Sequence, residues 1–462
     1  MAKYKAYPEY QSSNSQWIDI IPLEWIIVPL KFVVSDKITD GPHETPNFTD
    51  EGVPFISAEA IKLNQLDFSR KRAYISFKLH KKYSLKCLPQ RDDIFMVKSG
   101  NTTGAVAIVE TDEVFNIWSP LALIRCNRKI VIPRYVYYSM LADFFQTSVQ
   151  LSWSQGIQPN IGMGMIENLH LTYPELSVQN KIASFLDHET AKIDNLIEKQ
   201  QQLIELLKEK RQAVISHAVT KGLNPDVPMK DSGVEWLGEV PEHWVIKRLK
   251  HISPKIGVGL VINPSTYTKD EGVYFIFGGD VKEFRFDLTK TRRISPQDSN
   301  KLLPSRLNSG DLVSVRVGCP GITSVVTDEL DGSNCASIII IRRGGYNSNW
   351  LCAAMNVWVG RQQVDLASYG AAQKQFNVAD AIEFVFPVPP ISEQDDIAKF
   401  VQKTLNKFDD LTLKALNQID LLQERRTALI SAAVTGKIDV RDWVAPDSSE
   451  MADIEGAQEV NA

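Results

Sequence analysis

The chain has 462 residues, which is enough for about three domains, or for two domains with extensions. A hydrophobic content of 44% and a charged content of 23% are typical of globular proteins. The formal net charge of −5 argues weakly against a nucleic-acid-binding protein. From Asp442 onward, however, every charged side chain is acidic, so the rest of the chain is close to neutral and local basic patches are not excluded.

The number and spacing of the cysteines predict the redox environment of the protein. Cys87, Cys126, Cys319, Cys335 and Cys352 form no CxxC pair and have no spacing with histidines that is typical of zinc sites. Their odd number and the lack of a recognisable secretory signal predict free thiols in a reducing cytoplasm. No apolar run approaches the length of a membrane span, so we expect a cytoplasmic protein that does not bind membranes.

The first globular part, residues 17–175, is predicted to be β-rich. Short apolar runs at residues 93–97 and 105–109 are bounded by turn-forming residues, as is typical of strands. A helix is predicted over residues 134–150. The expected fold of this part is mixed α/β with a dominant sheet.

Residues 182–219 predict a long helix, because no Pro or Gly interrupts them and apolar side chains recur at alternating spacings of three and four. A helix of about 38 residues is roughly 57 Å long. Pro174 precedes it and Gly222 follows it, as helix start and stop signals require. The predicted coiled-coil positions are Ile193, Leu196, Leu203, Leu207 and Val214, interrupted by Gln200 and Lys210.

The second half of the chain repeats the first. Residues 177–221 match residues 392–436 without a gap, and nearly half of the aligned positions are identical. The matches continue upstream with gaps, for example at Trp25 and Trp244. The repeating unit is far longer than the repeats of solenoid proteins, so the chain contains one large unit twice.

The repeat predicts that residues 236–390 form a second mixed α/β part. Apolar runs at 312–315 and 337–341 predict strands, and residues 350–366 predict a helix. The second long helix follows Pro389 and Pro390. Its predicted coiled-coil positions are Phe408, Leu411, Leu422 and Leu429, with Ala415 also in the repeat and Gln418 and Arg425 as polar interruptions.

The predicted fold class is therefore mixed α/β, with two β-rich globular domains separated by two long antiparallel coiled-coil helices in a pseudo-two-fold internal repeat. The helices are expected to pair because the first leads to the second globular part and the second must return. The alternative is that each amphipathic helix packs only on its own domain. The predicted segments are residues 1–176, 177–228, 229–391, 392–441 and an acidic disordered tail at 442–462.

Motifs of several enzyme classes are absent from the sequence. There is no phosphate-binding GxxxxGK[ST] loop, no [DN]PP[FYW] tetrapeptide of amino-methyltransferases, no GxSxG and no HExxH. Gly257 and Gly259 form the closest approach to a dinucleotide-binding pattern, but the third glycine is missing. The sequence therefore favours a protein without a catalytic site of its own.

Two sets of motifs resemble a known family. The segment 231–244, DSGVEWLGEVPEHW, resembles the start of a target-recognition domain in specificity (S) subunits of Type I restriction–modification enzymes. The segments 388–394, VPPISEQ, and 426–437, RTALISAAVTGK, resemble the start and end of the helix that follows such a domain. The resemblance covers about residues 5–443, and the arrangement occurs twice in the same order.

The resemblance implies a non-catalytic subunit. Two target-recognition domains would each read one half of a bipartite, asymmetric double-stranded DNA site, and the paired helices would fix the unread spacer between the half-sites. The same chain would bind two methyltransferase (M) subunits and, in the full complex, two restriction (R) subunits. S-adenosylmethionine, ATP and Mg²⁺ would belong to those partners, and this chain would hold no metal or cofactor.

In the first domain, four polar stretches are candidates for DNA contact, because donors can reach base edges while Lys and Arg contact phosphates. Residues 39–46 resemble the family's DGxHxTP loop, residues 70–72 are a basic run, and residues 98–104 resemble its glycine loop; a polar cluster at 155–160 is the weakest. A structural turn and a solvated basic surface remain the alternatives for the first two. The candidate residues are His43, Thr45, Arg70, Lys71, Arg72, Lys98, Ser99, Asn101, Thr102, Gln158 and Asn160.

In the second domain, the pair at 292–293 corresponds roughly to the basic run, and residues 316–321 correspond to the glycine loop. Residues 373–375 align with residues 158–160. No DGxHxTP sequence is present, and residues 257–264 occupy its place. The candidate residues are Arg292, Arg293, Arg316, Gln373 and Lys374.

Two other functions fit the sequence. A coiled-coil scaffold with β-rich ends that bind protein or carbohydrate would show binding that is insensitive to salt, whereas DNA binding falls steeply as salt rises. A lone nuclease or methyltransferase with an unrecognised site would cleave or methylate DNA as the purified chain alone.

Overall fold

The computed structural model describes residues 4–153, 158–261, 263–370 and 374–445. They form two compact units. The first unit contains the chain up to Gln200 and the residues from Asn417 onward, and the second unit is Gln201–Leu416. Within the described part of the chain, no helix combines the length and the apolar character needed to cross a bilayer.

The α-helices follow the same order in both halves of the chain. Those of the first half are α1 Phe77–Ser84, α2 Pro133–Leu141, α3 Asp143–Leu151, α4 Met163–Glu167 and α5 Leu176–Lys221. Those of the second half are α6 Pro296–Lys301, α7 Ser348–Asn356, α8 Trp358–Ala367, α9 Val378–Ala381 and α10 Ile391–Val434.

The strands are short in both units. Those of the first unit are β1 Tyr10–Ser12, β2 Ile20–Pro22, β3 Ile26–Pro29, β4 Thr39–Asp40, β5 Phe48–Thr49, β6 Val53–Ile56, β7 Ile61–Lys62, β8 Gln65–Leu66, β9 Ala73–Ile75, β10 Ile94–Val97, β11 Val106–Ile108, β12 Asn116–Ile117, β13 Leu121–Ile124 and β14 His170–Tyr173. Those of the second unit are β15 Met229–Asp231, β16 Glu239–Pro241, β17 Val245–Arg248, β18 Ile256–Val258, β19 Thr268–Lys269, β20 Val273–Ile276, β21 Val281–Lys282, β22 Arg285–Phe286, β23 Arg292–Ile294, β24 Leu312–Val315, β25 Thr323–Val325, β26 Asn334–Cys335, β27 Ile338–Ile341 and β28 Val385–Val388.

The two units have the same strand order. In the first unit, one sheet has the order β11-β10-β13-β4 and a second has the order β12-β6-β9-β5, with β12 and β6 parallel. In the second unit, the corresponding orders are β25-β24-β27-β18 and β26-β20-β23-β19, with β20 and β26 parallel. The central strands β10, β13, β24 and β27 are buried on both faces, which explains why they are continuous apolar runs.

The core of the first unit includes the end of α10. Ile182, Phe185 and Ile193 of α5 share a buried cluster with Leu429 and Val434 of α10. The Tyr10 hydroxyl also donates to the carbonyl oxygen of Gly436, just after this helix. Folding of the first unit therefore requires residues from the far end of the chain.

The core of the second unit includes the end of α5. Ile215 and Val219 of α5 share a buried cluster with Trp244 and with Ile397 and Val401 of α10. Each unit thus buries the start of one long helix and the end of the other.

Each helix predicted at residues 134–150 and 350–366 is in fact two helices. The backbone is extended at Ala142, between α2 and α3, and at Val357, between α7 and α8. The break allows both pieces to bury apolar side chains, as shown by fully buried Tyr135 in α2 and Phe145 in α3. This tertiary packing overrides a local sequence that could continue as one helix.

The long helices are longer than the predicted length of about 38 residues, with 46 residues in α5 and 44 in α10. At 1.5 Å per residue, they are roughly 69 Å and 66 Å long. The buried Gln179 near the start of α5 accepts from the Ile132 amide at 2.9 Å and donates to the Pro174 carbonyl at 2.8 Å. Gln394 makes the same two contacts in the second unit, with the Asn347 amide and the Pro389 carbonyl, both at 2.9 Å.

The burial pattern of α5 corrects the predicted coiled-coil positions. Leu196 and Leu203 are 45% and 42% exposed, whereas Ile204 is 8% exposed and Ile197 is partly buried. At these two places the more buried residue is the one that follows the predicted position. Of the other predicted positions in this helix, Ile193 is buried, and Leu207 and Val214 are partly buried. In α10, Phe408, Leu422 and Leu429 are buried and Leu411 is partly buried.

Within each unit, the two long helices lie antiparallel. In the first unit, Arg426 contacts Asp194 at 2.9 Å, and Trp443, beyond the end of α10, packs on Phe185 near the start of α5. In the second unit, Arg211 contacts Asp409 at 3.3 Å. Aligning the two repeats places each arginine and each aspartate at equivalent positions, so both units use the same helix register. Residues 446–462 of the predicted tail lie outside the described residues.

The hydrogen bonds of Gln179 predict that replacing this residue lowers the stability of the protein. Gln179→Ala leaves a buried amide and a buried carbonyl without partners, so the free energy of unfolding should fall by about 2 kcal/mol. Chemical denaturation measures the change, and Gln394→Ala should give a similar loss in the second unit. The control is Gln402→Ala, an exposed position on α10, which should change stability by less than about 0.5 kcal/mol.

Candidate nucleic-acid interface

A glycine loop follows β10 in the first unit. This first glycine loop, residues 98–104, is fixed at its base because the Ile161 amide donates to the Lys98 carbonyl at 2.8 Å. The Gly100 amide donates in turn to the Pro159 carbonyl at 3.1 Å. Two stretches that are distant in sequence, both nominated for DNA contact, therefore lie side by side.

The second unit contains the same arrangement after β24. In this second glycine loop, residues 316–321, the Gly318 amide donates to the Lys374 carbonyl at 3.0 Å. The Phe376 amide donates to the Arg316 carbonyl at 3.3 Å. Asn160 and Gln375, which the sequence alignment places at equivalent positions, thus pair with the glycine loops of their own units. Gln373 itself lies outside the described residues.

The two glycine loops differ in length and in side chains. Their last residues, Gly104 and Gly321, donate to equivalent carbonyls of Val97 and Val315, both at 2.8 Å. The first loop is therefore one residue longer. It exposes an amide and a hydroxyl at Asn101 and Thr102, whereas the second loop has Cys319 and Pro320 in that region.

In each unit, a helix side chain donates a hydrogen bond near the C-terminal end of the glycine loop. Gln146 of α3 donates to the Gly104 carbonyl at 3.1 Å, and Arg361 of α8 donates to the Pro320 carbonyl at 3.0 Å. Arg361 also pairs with Glu283 at 2.8 Å. These supporting residues come from distant parts of the chain, so no local motif identifies them.

Asp40 links the loop at residues 39–46 to the first glycine loop. Its carboxylate lies 2.9 Å from the Lys98 ammonium, 2.6 Å from the Lys86 ammonium and 3.1 Å from Nε2 of His43. Lys86 also donates to the Gly41 carbonyl at 2.9 Å. We call Asp40, Lys86, Lys98 and His43 the Asp40 cluster. Two lysines against one aspartate leave it with a net positive charge at neutral pH.

The Asp40 carboxyl is buried, with 6% of its surface exposed. Burial would by itself raise its pKa, but hydrogen bonds and charge from Lys86 and Lys98 hold the pKa below the usual value. The carboxylate therefore stays ionised at neutral pH. The Lys98 side chain is only 14% exposed, so its charge is largely engaged by Asp40.

The second unit has no equivalent carboxylate. Strand pairing places Val258 where the first unit has Asp40. The neighbouring glycines keep the same role, because a Cβ at Gly41 would overlap the Ile117 carbonyl and one at Gly259 would overlap the Cys335 carbonyl. The backbone path is thus shared at this point, while the electrostatics differ.

Arg316 occupies the position of Lys98 in the second unit. Its guanidinium donates to the Phe376 carbonyl and to the Asn377 side-chain oxygen, both at 3.3 Å. Both acceptors are neutral, and no carboxylate of the described residues pairs with Arg316 within 4.0 Å. Its positive charge is therefore available to a ligand, unlike that of Lys98.

The basic run at residues 70–72 lies beside aromatic rings. Lys71 stands 5.0 Å from the centre of the Tyr74 ring, and Arg72 stands 5.7 Å from that of Trp118. Arg72 also pairs with Glu59 at 3.3 Å, and Arg70 with Asp67 at 3.6 Å. These exposed pairs are weak, so the cations remain accessible to phosphates.

Arg292 and Arg293 also stack on aromatic rings, at 4.7 Å from Phe277 and 3.6 Å from Tyr274. Strand pairing shows that they occupy the positions of residues 73 and 74, just after the basic run of the first unit. The predicted correspondence is therefore displaced by one to two residues. Both units nevertheless combine cations with aromatic rings at the same sheet, an arrangement suited to nucleic acid.

The remaining candidates are at the surface. His43, Thr45, Gln158, Asn160 and Lys374 are exposed, and Ser99 is partly buried and pairs with Asn160 through the backbone. Sequence reasoning missed two members of the Asp40 cluster. Asp40 lies in the nominated loop and could have been found there, but Lys86 carries no local signal.

The described residues include no group of metal-binding side chains, and three of their cysteine thiols are not reactive. None of their His, Cys, Asp and Glu side chains form a group that could hold a metal ion. Burial raises the pKa of the thiols of Cys87, Cys126 and Cys335 to about 12, so they are protonated rather than nucleophilic at neutral pH. The arrangement favours binding through cations, amides and hydroxyls.

A family model described as "Type I restriction modification DNA specificity domain" matches residues 39–206. This range includes the Asp40 cluster, the first glycine loop and the start of α5. Residues 39–206 therefore resemble a Type I DNA specificity domain. The family resemblance predicted from the sequence is confirmed by this match and by the relatives of the chain.

Two relatives match most of this chain. A candidate type I restriction enzyme MjaX specificity subunit of Methanocaldococcus jannaschii is 25% identical over 443 residues, covering 94% of this chain and 98% of the relative. The type I restriction enzyme EcoBI specificity subunit of Escherichia coli is 22% identical over 356 residues, covering 72% of this chain and 73% of the relative.

A solved structure shares the fold. A chain from work on complex assembly and conformational transition of the type I R-M system has a TM-score of 0.68 and 15% sequence identity, covering 90% of this chain and 99% of that chain. At this identity the likeness establishes the mixed α/β fold alone.

The Asp40 carboxylate predicts a pH dependence of stability. Because its pKa is depressed in the folded state, its contribution is fully present above the ordinary aspartate pKa and is lost as pH falls through the folded value. Asp40→Asn should therefore lower the free energy of unfolding by about 1–3 kcal/mol at pH 7. The difference from wild type should stay constant down to about pH 5 and shrink below about pH 4, as measured by urea unfolding. A difference that instead grows below pH 4 would contradict the assignment.

Proposed function

We propose that this chain is the non-catalytic specificity subunit of a Type I restriction–modification complex, and that it reads a bipartite, asymmetric DNA site with two target-recognition domains. The observation that carries the proposal is the pair of glycine loops. The two loops occupy equivalent positions in two units of equal strand order, yet they differ in length, charge and side chains. Equal scaffolds with different polar loops suit recognition of two different half-sites.

The long helices are proposed to separate the half-sites. The Arg426–Asp194 and Arg211–Asp409 pairs have the same antiparallel register in their own units, which supports one coiled coil with a pseudo-two-fold repeat. Half-sites on one face of B-DNA lie about 34–36 Å apart. Helices of 46 and 44 residues are long enough to span that distance.

The catalytic steps are proposed to belong to partner subunits. Two methyltransferase subunits and, in the full complex, two restriction subunits would bind this chain and supply S-adenosylmethionine, ATP and Mg²⁺ chemistry. Exposed leucines on the long helices, including Leu206 and Leu413, offer apolar surface for such partners.

Salt dependence tests the proposed DNA binding first. The full chain with its methyltransferase partner should bind a cognate duplex with an affinity that falls steeply between about 50 and 200 mM salt. Binding that is insensitive to salt, or equal for all duplexes at every salt concentration, would contradict the proposal.

Arg316 and Lys374 should affect binding differently. Arg316→Lys keeps the charge but removes the planar donor pair, so discrimination within the second half-site should fall about tenfold with an unchanged salt slope. Lys374→Gln removes an exposed cation, so it should lower the salt slope by about 1 for all sequences and leave base preference unchanged. Titration of duplexes carrying single base changes distinguishes the two effects, and loss of first-half-site preference in either variant would count against the assignment.

A further inference from the structure

We propose that Asp40 is a positioning residue for DNA recognition by the first unit. Its carboxylate would fix the base of the first glycine loop, so that the exposed Asn101 and Thr102 meet the first half-site in one orientation. This inference rests on the proposed function. It assigns a recognition role to a buried acid that does not itself contact DNA.

Asp40 brings several elements of the first unit together. Asp40 ends β4, Lys98 follows β10, and Lys86 follows α1, so one carboxylate joins three separate elements. The loop at 39–46 is held too, through the contact of His43 with the same carboxylate.

Lys98 is held through both its side chain and its backbone. Its ammonium lies 2.9 Å from Asp40, and its backbone carbonyl accepts from the Ile161 amide at 2.8 Å. With the side chain only 14% exposed, Lys98 has little freedom to reach a phosphate while this ion pair persists. Its role is therefore to anchor the loop, and the polar groups beyond it make the contacts.

The second unit has different residues at the positions equivalent to Asp40 and Lys98. Val258 replaces the acid there, and Arg316 replaces the lysine with neutral hydrogen-bond partners. Recognition by the second unit therefore does not depend on a carboxylate at this position. The effect of removing Asp40 should be confined to the first half-site.

Replacing Asp40 distinguishes two explanations, because they predict different effects on discrimination between DNA sequences. Asp40→Asn raises the net charge of the Asp40 cluster by one. If the cluster acted only by attracting phosphates, the variant would bind every DNA sequence more tightly. If Asp40 positions the loop, non-specific affinity should hold or rise while discrimination at the first half-site is lost.

The experiment uses the full chain with its methyltransferase partner and three duplexes: cognate, first half-site scrambled and second half-site scrambled. For wild type, each scrambled site should weaken binding. For Asp40→Asn, the penalty for scrambling the first half-site should fall at least tenfold, and the penalty for the second should be retained. Retention of both penalties would overturn the inference. If the wild-type complex showed no penalty for either site, the proposed function itself would fail.

Two further variants distinguish a loss of loop positioning from a loss of protein stability. Asp93→Asn removes a buried carboxylate at the other end of β10, where it pairs with Arg125 at 2.7 Å, so it should reduce stability but keep both penalties. Lys98→Met removes the opposite partner of the Asp40 pair and should reproduce the loss at the first half-site. It serves as the independent test if Asp40→Asn does not fold, and an unchanged penalty in Lys98→Met would also overturn the inference.

Discussion

The structure depends on the exchange of helix ends between the two halves of the sequence. The last turns of α10 complete the core of the first unit, and the last turns of α5 complete the core of the second. Neither half of the sequence therefore contains a whole hydrophobic core. Folding of each unit is therefore tied to both long helices, so the loops of a unit can differ while its core is kept.

The differences between the units include the charges and hydrogen bonds around the two glycine loops. The glycines at 41 and 259, the buried glutamines at the helix starts and the strand orders are shared. By contrast, the first unit neutralises Lys98 with a buried acid, whereas the second leaves Arg316 with neutral partners. A common backbone with different charge and hydrogen bonding is a physical basis for reading two dissimilar sequences.

Patterns local in sequence predicted much of this fold. The central strands and the long helices were found because apolar periodicity and helix stop signals are written within each segment. The coiled-coil positions were wrong where two apolar residues are adjacent, as at 196–197 and 203–204, because only packing decides which one is buried. Likewise, Lys98 was nominated as a contact from its loop, while its partner Asp40 lies far away in sequence. Asp40 itself stands in a nominated loop, but its pairing with a residue so distant in sequence carries no local signal.

Base-modification mapping of cellular DNA, with and without this gene, tests the central claim most directly. If the chain reads two half-sites as proposed, methylated sites should consist of two short, different motifs separated by a constant number of unspecified bases. A single continuous motif, a variable separation, or a methylation pattern that is the same with and without the gene would contradict the account.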